Sequence, residues 1–276
     1  MDKKVLTIQD VSCVGQCSLT VALPIISAFG IETAILPSAV LSTHTGGFKG
    51  FTFRDLTEDI PLIMKHWNKE NIKFDAFYTG YVGSAKQLEY ISDIISSCAN
   101  NGAITVIDPV MGDKGKLYVG FDAAFAAKMA KFCGKADVIL PNLTEAAFML
   151  GEEYVESGYD QAYIENLLKK LRGLGAKRVI LTGVSFDNAK LGVAVYDGNK
   201  FEYYFNEKIP VQMHGTGDVF ASAFVGSLML GKSDIEAAKV AADFVVEAIK
   251  ATMGDDSHWY GVKFEKALPC LVKSLS

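Results

Sequence analysis

The sequence of 276 residues lacks the features that mark membrane proteins and disulfide-stabilised secreted proteins. No stretch of 18 apolar residues is present, so no transmembrane helix is expected. The five cysteines are dispersed, odd in number and without a C-x-x-C pair, which favours free thiols in a reducing compartment over a disulfide framework. The first residues also lack the long apolar core of a secretory signal. We therefore expect a soluble cytoplasmic protein with no membrane contact.

Blocks of like charge are absent as well. The formal net charge is -5, and acidic and basic residues are interspersed, which argues against nucleic-acid binding. The chain has no internal repeat, low-complexity stretch or linker, while 50% of its residues are hydrophobic, enough for a substantial core. These observations predict one domain spanning residues 1–276.

Segments typical of strands and of helices alternate along most of the chain. The predicted strands cover residues 5–9, 33–36, 76–78, 104–107, 138–140 and 179–182, and the predicted helices cover residues 19–29, 59–67, 85–99, 121–132, 163–174, 219–230 and 235–253. This alternation predicts βαβ units and a parallel sheet, with ligands bound beyond the carboxyl ends of the strands. A Ser/Thr/Gly-rich loop runs through Gly50, and residues 191–205 are predicted to form a β-hairpin with a Gly-containing turn.

The most informative motif is the run His-Gly-Thr-Gly-Asp at residues 214–218, directly before a predicted helix. The glycines allow a sharp turn that directs backbone N–H groups at one point, and a helix N-terminus adds unpaired donors, so a phosphate would fit here. A carboxylate beside an anion site is repelled by the anion unless it has a role, and removing a proton from an attacking hydroxyl is such a role. The alternative is an ordinary loop with Asp218 in the first helical turn.

Polar clusters also follow four of the predicted strands, at residues 79–81, 108–113, 142–145 and 182–183. Turn-forming residues explain any one of them, and Asn142 with Glu145 equally fits a helix capping box. All four together at one edge of a parallel sheet indicate a site. The carboxylates of Asp108, Asp113 and Glu145, with the amide of Asn142, suit Mg²⁺ held largely through waters beside nucleotide phosphates.

Residues 226–233 match the P-loop pattern G-x-x-x-x-G-K-[ST]. The pattern binds phosphate only where a strand precedes the loop and a helix follows it. Here residues 227–230 continue the apolar face of a predicted helix, so we expect Gly231 to end that helix and Ser233 to begin the next with a capping box. We therefore exclude a P-loop.

Two segments near the start of the chain lie at the same predicted edge of the sheet. Asp10 follows the first strand, and residues 44–47, His-Thr-Gly-Gly, lie in the loop after the second strand. Both are placed to contact a second substrate, but a turn and a flexible polar loop explain them equally well. His44 is a base by composition, without an identifiable carboxylate partner.

Together these motifs resemble the ribokinase-like superfamily of small-molecule kinases, and more closely its pyridoxal/pyridoxamine kinase branch. The superfamily signatures are G-T-G-D at residues 215–218 and N-x-x-E at residues 142–145; the branch hallmarks are I-Q at 8–9, H-T-G at 44–46, T-G-Y at 79–81 and D-P-V-M-G-D at 108–113. Their order matches over nearly the whole chain. The resemblance implies an α/β fold, a three-layer α/β/α sandwich with a central mostly parallel sheet. It also implies ATP and Mg²⁺ as co-substrates, and commonly a homodimer.

Carried over residue by residue, the resemblance implies a role for each motif. Asp218 would deprotonate the 5′-hydroxymethyl group of the vitamin, and the backbone at Gly215, Thr216 and Gly217 would form the anion hole for the transferring phosphoryl group. The residues implied to order Mg²⁺ and the ATP phosphates are Asp108, Asp113, Asn142 and Glu145, with Thr182 and the loop through Val211 at the nucleotide. Those implied to hold the vitamin ring are Asp10, Thr45, Gly46 and Tyr81.

Asp10 is a departure from the branch, which often has serine at this position, next to the ring nitrogen. A carboxylate would favour a protonated pyridine nitrogen or the ammonium of pyridoxamine, or else the aminopyrimidine of a related branch. The predicted function is phosphorylation of vitamin B6 vitamers, and the alternative is hydroxymethylpyrimidine kinase. A sugar or nucleoside kinase and a non-catalytic vitamin-binding protein fit less well. The vitamer order, the oligomeric state and any dependence on a monovalent cation such as K⁺ stay open.

Overall fold

The computed structural model describes residues 3–275, which contain one sheet of nine strands, a separate two-stranded hairpin and nine α-helices. The strands are β1 (Lys4–Ser12), β2 (Glu32–Leu41), β3 (Phe53–Asp55), β4 (Phe74–Thr79), β5 (Ala99–Ile107), β6 (Gly112–Asp113), β7 (Lys116–Leu117), β8 (Val138–Ile139), β9 (Arg178–Val184), β10 (Lys190–Tyr196) and β11 (Phe201–Glu207). The large sheet has the order β11-β10-β9-β8-β5-β4-β1-β2-β3, and β6 pairs with β7.

The middle of the large sheet is parallel, as the alternating pattern predicts. Strands β2, β1, β4, β5, β8 and β9 run parallel, whereas β3 at one edge and β10 and β11 at the other are antiparallel to their neighbours. The predicted hairpin is confirmed as β10 and β11. The chain leaves β1 towards β2 and returns to β4 on the other side of β1, so the strand order reverses there. A crevice opens beyond the carboxyl ends of strands at such a reversal.

Helices cover both faces of the sheet. They are α1 (Leu19–Ala28), α2 (Ile60–Lys69), α3 (Ala85–Cys98), α4 (Ala123–Cys133), α5 (Leu143–Leu150), α6 (Gln161–Gly173), α7 (Thr216–Met229), α8 (Asp234–Thr252) and α9 (Phe264–Leu275). One apolar core lies between the sheet and α2 to α6, and a second lies between the sheet and α1, α7, α8 and α9. The predicted three-layer α/β/α sandwich with a mostly parallel sheet is therefore confirmed.

The exclusion of a P-loop is confirmed by the end of α7. The helix ends at Met229, Gly231 adopts a left-handed φ of +87°, and Ser233 forms a capping box with Glu236 at the start of α8. The phosphate-binding pattern thus lies across a helix end and a helix start, without a preceding strand. No helix within residues 3–275 is long and apolar enough to span a bilayer.

Several elements were not predicted because their sequence signal is weak or local. Strands β3, β6 and β7 are only two or three residues long, too short for a two-residue alternation to show. Helix α5 has eight residues, most of them buried, so it carries no polar stripe from which to infer a helix. Helix α9 follows a run without a motif, although its apolar spacing is that of an amphipathic helix.

Candidate active site

Most of the motifs singled out in the sequence meet at the carboxyl edge of the parallel strands. Asp10 lies near the end of β1, Thr79 ends β4, and Asp108 directly follows β5. Beyond β8, Asn142 forms an isolated parallel bridge with Thr182 of β9. The N-terminus of α7 lies at the same edge. Its residue Asp218 is close enough to Asp108 for its charge to raise the pKa of the Asp108 carboxyl. The parallel topology thus brings together segments that are far apart in sequence.

Asp218 lies in the first turn of α7, which begins at a glycine in a left-handed conformation. Gly215 is the N-cap with φ of +78°, and a Cβ placed there would lie 1.8 Å from the carbonyl oxygen of Gln16, so no other residue fits. No side chain caps this helix. The first N–H groups of α7 therefore have neither an intrahelical nor a side-chain partner, as an anion site requires.

The environment of Asp218 raises the pKa of its carboxyl to about 7. Burial among protein atoms is the main cause, and the negative charge of Asp10 adds to it, whereas the nearby backbone N–H of Ser18 acts in the opposite direction. A carboxylate with a pKa near neutrality can accept a proton from a substrate hydroxyl and later release it.

Asp108 and Glu145 form a buried acidic pair beside Asp218. Burial raises the pKa of Asp108 well above its ordinary value, and the charges of Glu145 and Asp218 raise it further. Burial also raises the pKa of Glu145 to about 7, although the N–H groups of Asn142 and Met111 donate to its two carboxylate oxygens at 2.9 and 3.1 Å. Within residues 3–275 neither carboxylate has an ion-pair partner. The pair is therefore suited to a cation.

The alternative interpretation of Asn142 and Glu145 as a capping box is confirmed. The side chain of Asn142 accepts from Glu145 N at 2.9 Å, and that of Glu145 accepts from Asn142 N at the N-terminus of α5. The amide of Asn142 also donates to the carbonyl of Gly112 at 2.9 Å. The two residues thus cap α5 and hold the loop after β5, and a structural role and a place in the site coexist.

Asp113 is more exposed than the acidic pair, although its charge also raises the pKa of Glu145. It lies on the β6–β7 hairpin, where its side chain accepts from Lys114 N at 2.9 Å and is exposed. Among the described residues, no group of three or more His, Cys, Asp or Glu side chains is close enough to hold a metal directly. A metal here would need waters and phosphate oxygens for most of its coordination, as Mg²⁺ usually has.

The same hairpin carries two residues that the sequence motifs did not reveal. Lys114 has a left-handed φ of +51°, and its ammonium group donates to the side chain of Gln212 in the loop before α7. Burial, together with the charges of the nearby carboxylates Glu145, Asp113, Asp218 and Asp108, raises the pKa of the Tyr118 phenol. Both side chains border the acidic side of the crevice. The run Lys-Gly-Lys-Leu-Tyr at residues 114–118, directly after the D-P-V-M-G-D motif, is the only sequence signal for them.

On the other side of the crevice, Asp10 is buried and held by hydroxyl groups. It is 4% exposed and accepts from Ser12 Oγ at 2.8 Å and from Ser18 Oγ at 2.5 Å. Burial raises the pKa of the Asp10 carboxyl, and the two serines oppose that rise. Tyr81, half-buried, packs against Phe121 with ring centroids 5.5 Å apart.

The loop that contains the H-T-G motif is fixed by the C-terminal part of the chain. His44 Nδ1 accepts from Gly46 N at 3.0 Å, so Nε2 carries the proton and donates to the carbonyl of Tyr260 at 2.7 Å. Phe48 packs on Trp259 at 4.6 Å between ring centroids. Both nitrogens of His44 are thus engaged, which leaves this residue no free nitrogen to act as a base. Trp259 and Tyr260 carry no motif, which is why the sequence did not reveal them.

The remaining predicted residues lie at the rim. Thr45 is exposed, and Gly46 packs so tightly against His214 that a Cβ would lie 2.8 Å from its Nδ1. Thr182 is half-buried, with its backbone N–H donating to the carbonyl of Pro141 at 2.9 Å. Val211 is exposed in the loop between β11 and α7. The geometry thus leaves these residues open to a ligand.

With this geometry described, the chain can be compared with known proteins. A model of the family described as phosphomethylpyrimidine kinase matches residues 39–261. The chain belongs to this family. This kinase is also 30% identical to the pyridoxal kinase PdxY of Actinobacillus pleuropneumoniae, over 91% of the chain and 89% of that protein. The resemblance to pyridoxal kinases of the ribokinase-like superfamily is therefore confirmed.

Solved structures agree with this assignment of the kinase. It is 38% identical to a proposed phosphomethylpyrimidine kinase of Bacteroides thetaiotaomicron, crystallised with pyridoxal, with a TM-score of 0.93 over 98% of this chain and 96% of that one. It is 31% identical to the pyridoxal kinase of Lactobacillus plantarum, with a TM-score of 0.91 over 99% of this chain and 97% of that one. The fold and the family are thus shared with kinases associated with both substrate classes.

Proposed function

We propose that this kinase transfers the γ-phosphoryl group of ATP to the 5′-hydroxymethyl group of vitamin B6 vitamers, giving the 5′-phosphates of pyridoxal, pyridoxine and pyridoxamine. The observation that carries the proposal is the position of Asp218. It lies at the N-terminus of α7, between the acidic pair and the buried Asp10, and its pKa is about 7. A base and an anion site thus occupy one helix end.

In the proposed reaction Asp218 accepts the proton of the 5′-hydroxyl group as its oxygen attacks the γ-phosphorus. The bond from that phosphorus to the β,γ-bridging oxygen breaks, and ADP leaves. The backbone N–H groups at Gly215, Thr216 and Gly217 stabilise the charge that develops on the transferring group. Because these donors are fixed at the start of a helix, they need no reorganisation during the reaction.

Asp108, Asn142 and Glu145, with Asp113 from the hairpin, would hold Mg²⁺. The bound ion would neutralise phosphate charge. A cation fits here because the buried carboxyl groups of Asp108 and Glu145 have no ion-pair partner among the described residues. Binding of a cation would also lower the pKa of Glu145, so that the ionised form would predominate at neutral pH.

The rim residues would hold the two substrates. Thr182 and Val211 would contact the nucleotide, and Thr45, Gly46 and Tyr81 would contact the vitamer. We also propose, from the superfamily, that the chain is one domain over residues 1–276, works in the cytoplasm and forms a homodimer.

A second candidate function is hydroxymethylpyrimidine kinase. The description of the family model and the name given to the Bacteroides relative favour it. Both reactions phosphorylate a hydroxymethyl group on a nitrogen heteroaromatic ring, so the same base and anion site serve either one. A non-catalytic vitamin-binding protein is disfavoured, because the chain retains Asp218, Asp108 and Glu145.

A substrate panel tests the proposal. The purified protein would be incubated with ATP, Mg²⁺ and pyridoxal, pyridoxine, pyridoxamine or hydroxymethylpyrimidine, with ADP release and product mass measured. We expect stoichiometric ADP and 5′-phosphate with the vitamers, at kcat/KM values above that for the pyrimidine. A reversed preference would support the second candidate, and the absence of turnover with all of them would contradict both.

A further inference from the structure

Ser18 has a backbone conformation that serine rarely adopts. Its φ is +57° and its ψ is −134°, a region in which residues other than glycine are strained. Among residues 3–275 only two other non-glycine residues have positive φ, Asn71 and Lys114. Such strain persists only where neighbouring groups enforce it, so the contacts of Ser18 call for an explanation.

The side chain of Ser18 does not cap the helix that it precedes. Ser18 is the N-cap of α1, where a serine hydroxyl normally accepts from a backbone N–H in the first turn, but here no such bond forms. The hydroxyl instead donates to Asp10 Oδ1 at 2.5 Å. Ser18 is 5% exposed and Asp10 is 4% exposed, so water does not compete for this bond. The Ser18 hydroxyl therefore bonds to Asp10 instead of capping α1.

The backbone of Ser18 connects this contact to the proposed base. Because α1 fixes the atoms on the C-terminal side of Ser18, the positive φ sets the direction of its N–H group. That N–H lies close enough to the carboxylate of Asp218 to lower the pKa of this carboxyl group. The preceding residues pack on the same turn, since the carbonyl oxygen of Gln16 lies 1.8 Å, and Cys17 Sγ 3.7 Å, from the position of a Cβ on Gly215.

We propose that Asp10 is a positioning residue, which through the Ser18 hydroxyl holds Ser18 in its left-handed conformation so that the Ser18 N–H orients the carboxylate of Asp218. This inference rests on the proposed role of Asp218 as the base. It assigns to Asp10 an action on the rate of transfer rather than on vitamer affinity. A serine in place of Asp10 has a shorter side chain and no charge, and would hold Ser18 less firmly.

Substitutions at Ser18 separate its backbone from its hydroxyl group. Glycine adopts the observed conformation without strain, whereas alanine retains the strain and lacks the bond to Asp10. We expect Ser18→Ala to lower kcat about tenfold, the cost of misdirecting one hydrogen bond to a charged group. We expect Ser18→Gly to retain kcat within about threefold, and KM for the vitamer to change little in either variant. Equal losses in the two variants would contradict the proposal.

A double-mutant cycle then tests Asp10 itself. We expect Asp10→Ala to lower kcat about tenfold in the wild-type background but no more than about threefold in the Ser18→Gly background. The reason is that glycine at position 18 adopts the left-handed conformation without help from Asp10. A direct contact of Asp10 with the vitamer would instead raise KM equally in both backgrounds, and that outcome would overturn the proposal. The assays would be run at about pH 8.5, above the pKa of Asp218, so that its ionisation does not vary.

Thermal unfolding of the same variants gives a readout that needs no turnover. Asp10→Ala should lower Tm by roughly 3–8 °C in the wild-type background and by less than half of that in the Ser18→Gly background. Ser12→Ala is the matched control, since Ser12 donates to the other carboxylate oxygen of Asp10, and it should lower Tm to a similar extent in both backgrounds.

If the wild-type protein phosphorylated no vitamer, the proposed function would fail, and the unfolding cycle would still decide whether Asp10 holds Ser18. Additive Tm changes at Asp10 and Ser18 would contradict the inference.

Discussion

The two sides of the crevice are built in different ways. On the acidic side Asp108 and Glu145 are buried, with no ion-pair partner among residues 3–275, and backbone N–H groups that follow β5 and β8 hold Glu145. On the other side, which we call the loop side, the H-T-G loop is held by neutral contacts with a distant segment of the chain. An example is the bond from His44 to Tyr260, which is 216 residues later in the sequence. We therefore propose that the acidic side supplies the electrostatics of phosphoryl transfer and that the loop side distinguishes substrates by its shape.

This difference predicts that changes on the two sides affect different kinetic parameters. In the proposed reaction, groups on the acidic side would contact charge that develops in the transition state, so their loss should lower kcat. Groups on the loop side would contact the vitamer in the ground state as well, so their loss should raise KM with a smaller effect on kcat.

Asp218→Asn should have the largest effect. The amide is isosteric but cannot accept the hydroxyl proton, so we expect kcat with pyridoxal to fall by about 10²–10⁴-fold while ATP still binds. Steady-state kinetics and nucleotide-binding calorimetry would measure the two quantities. A rate close to that of the wild-type protein would rule out Asp218 as the base.

Glu145→Gln should have the next largest effect. Glutamine can still accept from Asn142 N and keep the cap of α5, but it removes one charge from the proposed cation site. We expect kcat/KM for MgATP to fall by about 10–100-fold and the Mg²⁺ concentration for half-maximal rate to rise. Glu236→Gln, in the capping box of α8 away from the site, is the matched control and should leave the Mg²⁺ dependence unaltered. An unchanged Mg²⁺ titration for Glu145→Gln would argue against metal binding at this residue.

Trp259→Ala tests the loop side. Removing the indole ring leaves Phe48 and Gly47 without their packing partner, so the H-T-G loop should become less ordered. We expect KM for the vitamer to rise about tenfold, with kcat and KM for ATP within about threefold of the wild-type values. Met253→Ala, at a similarly exposed residue, is the control. If instead kcat fell and KM stayed constant, the division between the two sides would be wrong.

The pH dependence of stability should show the smallest effect. Asp218 and Glu145 hold protons up to about pH 7 in the folded protein, whereas their ordinary pKa values are 3.8 and 4.5. Between these limits the folded state binds more protons than the unfolded state, so the free energy of unfolding falls as pH rises. Asp218→Asn removes one such group.

Since Asp218 is partly exposed, water reduces its contribution to about 1–2 kcal/mol, and Asp218→Asn should raise Tm by roughly 2–6 °C at pH 8 but not at pH 4. Thermal unfolding at a series of pH values without Mg²⁺ measures this. Glu58→Gln, whose side chain is 81% exposed, should show no such pH-dependent gain. A constant Tm difference between Asp218→Asn and the wild-type protein across this range would contradict the assigned pKa.

The sequence was sufficient to predict the acidic side, because its parts are local. Each strand is followed at once by its polar motif, and a parallel sheet places strand ends together regardless of their distance along the chain. The loop side was only partly predictable. The motif at residues 44–46 was visible, but its packing against Trp259 and Tyr260 depends on the complete fold, and no local pattern marks those two aromatic residues.

The conformation of Ser18 was beyond prediction for a different physical reason. A serine before a helix predicts an ordinary N-cap with the hydroxyl turned to the first turn. In the fold, that hydroxyl donates to the buried carboxylate of Asp10 instead. This tertiary contact replaces the local hydrogen bond that the sequence predicts. The β6–β7 hairpin that carries Asp113 was also not predicted, because its strands are too short for an alternating pattern to show.

The pH dependence of the phosphoryl-transfer rate tests the central claim most directly, namely that Asp218 is the base at the N-terminus of α7. The rate would be measured in single turnovers at saturating ATP and Mg²⁺, where a bound cation keeps Glu145 ionised. We expect the rate to fall tenfold per pH unit below about pH 7, and this dependence to be absent in the residual activity of Asp218→Asn. A wild-type rate that is constant between about pH 5.5 and 8.5, or the same acid limb in Asp218→Asn, would contradict the claim.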